Sequence, residues 1–62
     1  MWFEKKNNIY EVYTNKYGYV GFLANVRTIQ AAGNQLIIQE GESVHRIIYE
    51  CHNGSLRSVG VR

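Results

Sequence analysis

The side chains of this sequence best suited to binding chemistry are aromatic and basic residues crowded into its first third. The two types are interleaved along this segment, which includes Lys5, Lys6, Tyr13, Lys16, Tyr17 and Tyr19. Flat rings stack on nucleic-acid bases and ammonium groups hold phosphates, so a sheet presenting both would bind a single strand. We predict these six residues as a nucleic-acid site, with Arg46 and Arg62 as secondary phosphate contacts. Tyrosine is also common within strands and at protein interfaces, so packing or protein contact is the alternative role.

The spacing of the single cysteine and the two histidines argues against a metal site or a catalytic site. Neighbouring residues of a strand point to opposite faces, which separates Cys51 from His52. His45 lies about 20 Å from Cys51 along a strand that rises ~3.3 Å per residue. A structural zinc site needs four converging nitrogen or sulfur ligands, and one Cys and two His supply three at most. The sequence therefore predicts no metal, no cofactor and no catalytic residues, and we expect a protein that is not an enzyme.

Length and charge restrict the classes of protein that this chain can join. With 62 residues it is expected to form one small domain, residues 1–62. A chain this short buries only about 60% of its unfolded surface, so a disulfide, a metal or oligomerisation usually supports such folds. One cysteine excludes an internal disulfide, which favours a homo-oligomer. A formal net charge of +2 and a pI near 8.9 permit a nucleic-acid partner without requiring one.

No segment has the apolar run of a signal peptide or of a membrane span. We therefore expect a cytoplasmic protein without a membrane partner. Frequent Lys, Asn, Tyr and Ile would suit a phage or mobile-element accessory protein encoded by an AT-rich genome.

The elements that position these side chains begin with the Asn53-Gly54 pair. Both central residues of a type I′ turn need positive φ, which Asn and Gly tolerate best. A two-residue turn fixes the register of a hairpin. The predicted partners are Cys51 with Leu56, Glu50 with Arg57, Tyr49 with Ser58, Ile48 with Val59, and Ile47 with Gly60.

Two earlier turns extend this hairpin into a four-stranded antiparallel meander. A turn at Gly41-Glu42 would pair Ile38 with His45 and Leu36 with Ile47, and one at Gly33-Asn34 would pair Ile29 with Ile38 and Arg27 with Glu40. Because side chains alternate between the two faces of a strand, one face would carry a mostly apolar group of residues: Ile29, Ala31, Leu36, Ile38, His45, Ile47, Tyr49, Cys51 and Leu56.

The opposite face of the meander is predicted to be too apolar for full solvation. It would carry six branched residues: Val26, Ile37, Val44, Ile48, Val59 and Val61. Large apolar patches seldom stay exposed on monomers. Either the N-terminal third covers this face through Ile9, Tyr13, Val20 and Phe22, or the six residues form an interface between copies of the chain.

The N-terminal third is expected to hold an edge strand over residues 2–6 and a second strand over residues 9–14. A two-residue turn at Asn7-Asn8 would place Glu4 opposite Glu11, and this like-charge pair disfavours that turn. A longer loop or a free N-terminal segment is the alternative. A four-residue loop over residues 15–18 would pair Thr14 with Tyr19, Tyr13 with Val20, and Glu11 with Phe22.

Residues 21–33 form the ambiguous segment. Phe22, Val26 and Ile29 have helical spacing and Gly33 could end a helix, whereas the β-branched residues favour a strand. We predict an all-β fold, a small antiparallel meander of five or six strands that is bent or closed into a small barrel. An α+β fold with a helix near residues 22–32 is the alternative.

Together these patterns predict a small binding module. Nucleic acid is the favoured partner, bound through the Tyr and Lys surface. The alternative is a homo-oligomeric adaptor or inhibitor that binds a protein through the aliphatic face.

Overall fold

The computed structural model describes all 62 residues, and every regular element in it is a β-strand. The strands are β1 (Trp2–Lys6), β2 (Ile9–Thr14), β3 (Gly18–Ala24), β4 (Val26–Ala32), β5 (Gln35–Glu40), β6 (Ile47–His52) and β7 (Ser55–Val61). The prediction of an all-β antiparallel fold is confirmed. There are seven strands rather than five or six, because Asn25, at φ 56°, divides residues 18–32 into β3 and β4. The chain offers no helix of the length and apolarity that crossing a membrane requires.

The strands form two sheets whose facing sides meet in one core. The first sheet has the order β1-β2-β3 and the second the order β4-β5-β6-β7, and they do not close into a barrel. Val12, Val20 and Leu23 of the first sheet pack against Leu36 and Ile38 of the second. The accessible surface is 4265 Å², close to the roughly 4,100 Å² that size scaling gives for a folded monomer of this mass. A single copy therefore has the compactness of a folded protein, although its core is small.

The hairpin at Asn53-Gly54 forms as its turn residues require. Asn53 has φ 53° and Gly54 has φ 82°. The expected pairs of Cys51 with Leu56, Glu50 with Arg57, and Tyr49 with Ser58 are confirmed. Beyond them Val59 is an extra residue, so Ile48 pairs with Gly60 and Ile47 with Val61. The predicted pairs of Ile48 with Val59 and Ile47 with Gly60 are wrong because of this β-bulge.

The turn predicted at Gly41-Glu42 is wrong, because residues 41–46 form a longer loop. The loop is tied to the sheet by the Ser43 carbonyl, which accepts hydrogen bonds from Gln39 Nε2 at 2.9 Å and from Arg27 Nη2 at 2.8 Å. As a result Ile38 pairs with Ile47 and Leu36 pairs with Tyr49, in place of the predicted His45 and Ile47.

The neighbouring turn at Gly33-Asn34 pairs Ile29 with Ile38, as predicted. Near the other end of β4, however, Val26 pairs with Glu40 and Arg27 is a bulge residue. The predicted pair of Arg27 with Glu40 is therefore wrong.

The Asn7-Asn8 turn forms despite the like-charge pair that argued against it. Asn7 adopts φ 54°, and Glu4 lies opposite Glu11. The repulsion is offset because Lys6 Nζ lies 3.1 Å from Glu11 Oε1.

The β2–β3 connection is one residue shorter than predicted. Thr14 pairs with Gly18, which has φ 71°, and the Tyr17 amide donates to Thr14 Oγ1 at 2.9 Å. Tyr13 therefore pairs with Tyr19, and the predicted pairs of Thr14 with Tyr19 and Tyr13 with Val20 are wrong. Val20 is the extra residue of a bulge that restores the predicted pairing of Glu11 with Phe22.

The first sheet covers the predicted core face of the second sheet and leaves the opposite face open. Most of the predicted core face lies in the core or packs against it: Ile29, Leu36, Ile38, Ile47, Tyr49, Cys51 and Leu56. Ala31 pairs with Leu36 and so lies on that face, although it is exposed. His45 lies in the 41–46 loop, outside the strands, which corrects its assignment to that face. Of the four predicted covering residues, Ile9, Tyr13, Val20 and Phe22, the core includes only Val20.

Candidate aromatic binding surface

Three aromatic rings lie side by side on the outer face of the first sheet. Trp2 pairs with Tyr13, and Tyr13 pairs with Tyr19; directly opposed residues share a face. The Trp2 and Tyr13 ring centroids are 5.7 Å apart with planes at 13°, and those of Tyr13 and Tyr19 are 5.8 Å apart at 66°. Aromatic pairs at such distances contribute about 0.5–1.5 kcal/mol beyond their buried area. Trp2, Tyr13 and Tyr19, here called the aromatic row, are therefore held in place before any ligand arrives.

The aromatic row is accessible to solvent. Trp2 is 42% exposed and Tyr19 is 50% exposed, with Tyr13 half-buried between them. Phe22, one row further along the same face, is 58% exposed. Contiguous exposed aromatic surface on a small domain is typical of an interaction site.

The charges beside the aromatic row are mainly acidic. Glu4 and Glu11 lie opposite each other in the next row of the same face, and Lys6 follows them. Hydrogen bonding to Glu11, with the attraction of its charge, raises the pKa of Lys6. Lys6 is thus engaged by a carboxylate, and this part of the face keeps one net negative charge. A phosphate would be disfavoured there.

The β2–β3 loop carries one positive charge, that of Lys16. The loop follows directly on the pairs of Tyr13 with Tyr19 and Thr14 with Gly18. Its Tyr17 ring packs on the Asn53-Gly54 turn, 3.3 Å from the position that a Cβ on Gly54 would take. Lys16 Nζ lies 5.3 Å from the centre of that ring, within the range of a cation–π contact.

An open cleft of about 470 Å³ lies at the same end of the molecule. Its walls come from both sheets and include Thr14, Asn15, Lys16, Asn34, Glu50 and His52. We call it the end cleft.

The Glu50 carboxylate of the end cleft is held by two neighbours. Gln35 Nε2 donates to its Oε2 at 2.8 Å, and His52 Nε2 lies 3.2 Å from its Oε1. These hydrogen bonds, that of Gln35 first, lower the pKa of Glu50. The end cleft therefore presents a carboxylate held by two hydrogen bonds, and Lys16 is among its other lining residues.

Half of the predicted nucleic-acid site is gathered at this end. Tyr13, Lys16, Tyr17 and Tyr19 lie together, as described above. The predicted set omitted Trp2, although a two-residue turn at Asn7-Asn8 would have placed it opposite Tyr13. No sequence pattern marks Glu50 and His52 as residues of the end cleft, because their proximity to the β2–β3 loop depends on how the two sheets pack.

The other half of the predicted set lies elsewhere. Lys5 is on the opposite face of β1, its Nζ 5.8 Å from the Tyr10 ring centre, and Lys6 is bound to Glu11. Arg46 and Arg62 pair through their backbones, with N–O distances of 2.9 and 2.7 Å, at the far end of β6 and β7 from the Asn53-Gly54 turn. Lys5, Arg46 and Arg62 therefore lie apart from the tyrosines, whereas Lys6 shares their face but is paired with Glu11; the role of these four residues in binding stays a prediction.

The six residues predicted as an oligomer interface do not share one face. Ile37 and Ile48 are paired and half-buried on the outer face of the second sheet. Val26 packs against the core, and Val44 lies exposed in the 41–46 loop. The bulge at Val59 places Val61 opposite Ile47, on the core side of the sheet. The surviving apolar patch is therefore the Ile37–Ile48 pair, and its role as an interface stays a prediction.

The cysteine and the histidines are dispersed. Cys51 is half-buried against the core, His45 is exposed in the 41–46 loop, and His52 contacts Glu50. No group of three or more His, Cys, Asp or Glu side chains is placed to hold a metal ion.

Comparison of the chain with known protein families, with curated proteins and with solved structures gives no match. The aromatic row, Lys16 and the end cleft are therefore the features from which a function is inferred.

Proposed function

We propose that this protein is a small non-enzymatic binding module whose aromatic row receives the bases of a single-stranded nucleic acid. The observation that carries the proposal is the set of three neighbouring rings, preorganised by their mutual packing and open to solvent. Stacking of a base on an aromatic side chain contributes about 1–3 kcal/mol and tolerates any base. Two such contacts give useful affinity without base-specific hydrogen bonds.

The charges around the aromatic row limit the path of the strand. Lys16 can hold a phosphate at the loop end of the row, whereas Glu4 and Glu11 repel phosphates from the adjacent row. The bound strand is therefore expected to cross β1, β2 and β3 along the row and leave toward Lys16. With about one phosphate neutralised, the slope of log affinity against log salt is expected to lie near −0.7.

The test is the affinity of a fluorescein-labelled mixed eight-nucleotide strand, measured by anisotropy. Replacing Tyr19 with Ala removes one stacking ring and should weaken binding about 5- to 150-fold, the equivalent of ~1–3 kcal/mol. The matched control is Phe22→Ala, which removes an exposed ring of the same face outside the row and should leave affinity nearly unchanged. An unchanged affinity in Tyr19→Ala, or an equal loss in both variants, would overturn the proposal.

A second candidate function is a homo-oligomeric adaptor that binds through the outer face of the second sheet. The observation that favours it is the half-buried Ile37–Ile48 pair, which the first sheet leaves uncovered. Polar neighbours, among them Gln39 hydrogen-bonded to Thr28 at 3.3 Å, confine the patch to its centre. This function would require a larger apolar contact than one chain presents there.

A further inference from the structure

We infer that the free edge of β4 binds a second copy of this chain, and that the two β4 strands pair antiparallel about a two-fold axis at Gln30. The second sheets of the two copies, each with four strands, then join into one continuous sheet. The pairing is independent of the aromatic row. It depends on three features of β4: an open backbone edge, the absence of charge along that edge, and a sequence that matches itself.

The backbone of β4 is hydrogen-bonded on one side only. β4 ends the order β4-β5-β6-β7 and pairs with β5 alone. The two-residue turn at Gly33-Asn34 makes Ala32 the first residue of β4 that is hydrogen-bonded to β5. Because hydrogen-bonded pairs alternate along an antiparallel ladder, the N–H and C=O groups of Ile29 and Ala31 point away from β5. The backbone hydrogen bonds outside the strand ladders involve none of these groups.

The other three edge strands are protected against pairing. β1 has three charged residues among its five, Glu4, Lys5 and Lys6. β3 and β7 approach each other, since a Cβ on Gly21 would lie 3.3 Å from Leu56 Cβ. Charged side chains and covering elements are the means by which natural proteins prevent sheets from joining edge to edge.

β4 lacks this protection over residues 28–32. The stretch reads Thr-Ile-Gln-Ala-Ala, without a charge or a proline, and only Ile29 in it is not fully exposed. The one charged residue of β4 is Arg27, a bulge residue whose Nη2 donates to the Ser43 carbonyl at 2.8 Å. The bulge ends the regular edge at Thr28, so the edge open to a partner strand is the stretch 28–32.

This stretch is complementary to a second copy of itself. Two antiparallel copies centred on Gln30 place each Ile29 opposite the partner's Ala31, in two hydrogen-bonded pairs with two backbone bonds each. On the core face the large Ile29 then lies beside the small Ala31. On the outer face Thr28 lies opposite Ala32, and Gln30 lies opposite its own copy. Each Gln30 amide has donors and an acceptor, so the two amides bond across the axis. Because no like charges meet, a second copy is the partner that this edge fits.

The interface is small, which sets the strength of the dimer. A standard interface has about 20–30 residues on each side, far more than one short strand provides. We therefore expect a dissociation constant between micromolar and millimolar, measured by sedimentation velocity of the full chain over that range. The mass should rise with concentration from 7.2 kDa toward twice that value. A mass that stays at 7.2 kDa throughout would overturn the inference.

Ala31→Pro tests the open edge. Proline removes the N–H of residue 31 from both copies, hence two of the bonds between them, and takes no bond from the β4–β5 ladder. Dimerisation should weaken about 5- to 150-fold, as for the loss of two ordinary hydrogen bonds. The matched control is Ala31→Ser, which keeps the N–H and should leave dimerisation nearly unchanged. A dimer that survives in Ala31→Pro would overturn pairing through β4.

Gln30→Lys and Gln30→Glu test the register, and they stand even if Ala31→Pro fails to fold, because neither alters the backbone. Each variant alone places like charges opposite each other at the axis and should dimerise about 1.4- to 5-fold more weakly than the unchanged protein. A mixed dimer joins opposite charges and should form about 2- to 30-fold more tightly than either variant with itself. Fluorescein-labelled Gln30→Lys protein, sedimented with unlabelled Gln30→Glu protein, measures this difference. A mixture without that advantage would overturn the axis at Gln30 and place the second copy elsewhere, for example on the face that carries Ile48.

Discussion

Replacing Gly21 with Ala should destabilise the fold where β3 of the first sheet approaches β7 of the second. Gly21 has φ +149°, a conformation that residues with a side chain rarely adopt, and a Cβ there would lie 3.3 Å from Leu56 Cβ. Holding such a residue in a sparsely populated region costs about 1–3 kcal/mol. The lower entropy of the unfolded alanine chain returns about 0.4–1 kcal/mol. We expect the free energy of unfolding to fall by about 1–2 kcal/mol, and the Tm of so small a domain by about 5–15 °C.

Two other glycines separate the causes of this loss. Gly60 has no positive φ, and a Cβ there would lie 3.9 Å from Ile48 Cδ1, an ordinary contact. Gly60→Ala should therefore leave stability unchanged or raise it by about 0.4–1 kcal/mol. Gly18 has φ +71° in open space, so Gly18→Ala should report the backbone penalty alone.

The assay is thermal unfolding of the four proteins followed by circular dichroism, supported by urea denaturation. The expected order of stability is Gly60→Ala, then Gly18→Ala, then Gly21→Ala. If Gly21→Ala and Gly60→Ala unfolded at the same temperature, the close approach of β3 to Leu56 would be refuted.

Three further predictions concern charge and assembly. Glu11→Gln should lower the pKa of Lys6 toward its ordinary value, measured by NMR titration, because the carboxylate that raises it is gone; an unchanged pKa would exclude the ion pair. Because the pKa of Lys6 is raised in the folded state, its contribution to stability is present at pH values below the unfolded-state pKa and is lost as pH rises through the folded-state pKa. Gln35→Met should raise the pKa of Glu50 toward 4.5, also read by NMR. Because the pKa of Glu50 is lowered in the folded state, the stability that this hydrogen bond contributes is present at pH values above the unfolded-state pKa and is lost as pH falls through the folded-state pKa. The Gln35→Met variant should therefore be less stable than the unchanged protein at neutral pH. Equal stability of the two proteins at neutral pH would argue against the hydrogen bond. If the outer face of the second sheet is an oligomer interface, light scattering should give a multiple of 7.2 kDa for the unchanged protein and 7.2 kDa for Ile48→Glu; a monomeric unchanged protein would contradict that role.

Local chemistry in the sequence was sufficient for the all-β fold and for much of the strand pairing. The Asn53-Gly54 turn needs positive φ at both residues, and this requirement alone gave the register of Cys51 with Leu56 and of the next two pairs. β-branched residues outweighed the helical spacing of residues 21–33, as the strands there show. In both cases the deciding interactions lie within a few residues of each other.

The errors arose where distant residues decide the geometry. Bulges at Val20, Arg27 and Val59 each insert one residue, and a one-residue shift moves later side chains to the other face. The 41–46 loop is held by Arg27, which is 16 residues away from Ser43 in the chain. No turn signal in the sequence marks such a contact.

The candidate site was likewise predictable where residues close in the chain define it, and not where distant residues do. Tyr13, Lys16, Tyr17 and Tyr19 were identified by their types and their closeness in the chain. Trp2 is absent from the predicted set, and its place opposite Tyr13 follows from the Asn7-Asn8 turn, in which Lys6 is paired with Glu11. The end cleft could not be foreseen, because its walls belong to separate turns and strands that only the packing of the sheets brings together.

The most direct test of the aromatic row as a nucleic-acid site is a titration of the ¹⁵N-labelled protein with an unlabelled eight-nucleotide single strand, followed by amide and indole NMR shifts. Trp2 is the only tryptophan, so its indole N–H gives one resolved signal from the row. We predict that the largest shifts occur at Trp2, Tyr13, Lys16 and Tyr19, with little change at Ile48. Shifts confined to the face that carries Ile48, or no shifts at all, would contradict the proposal that this protein binds nucleic acid through its aromatic row.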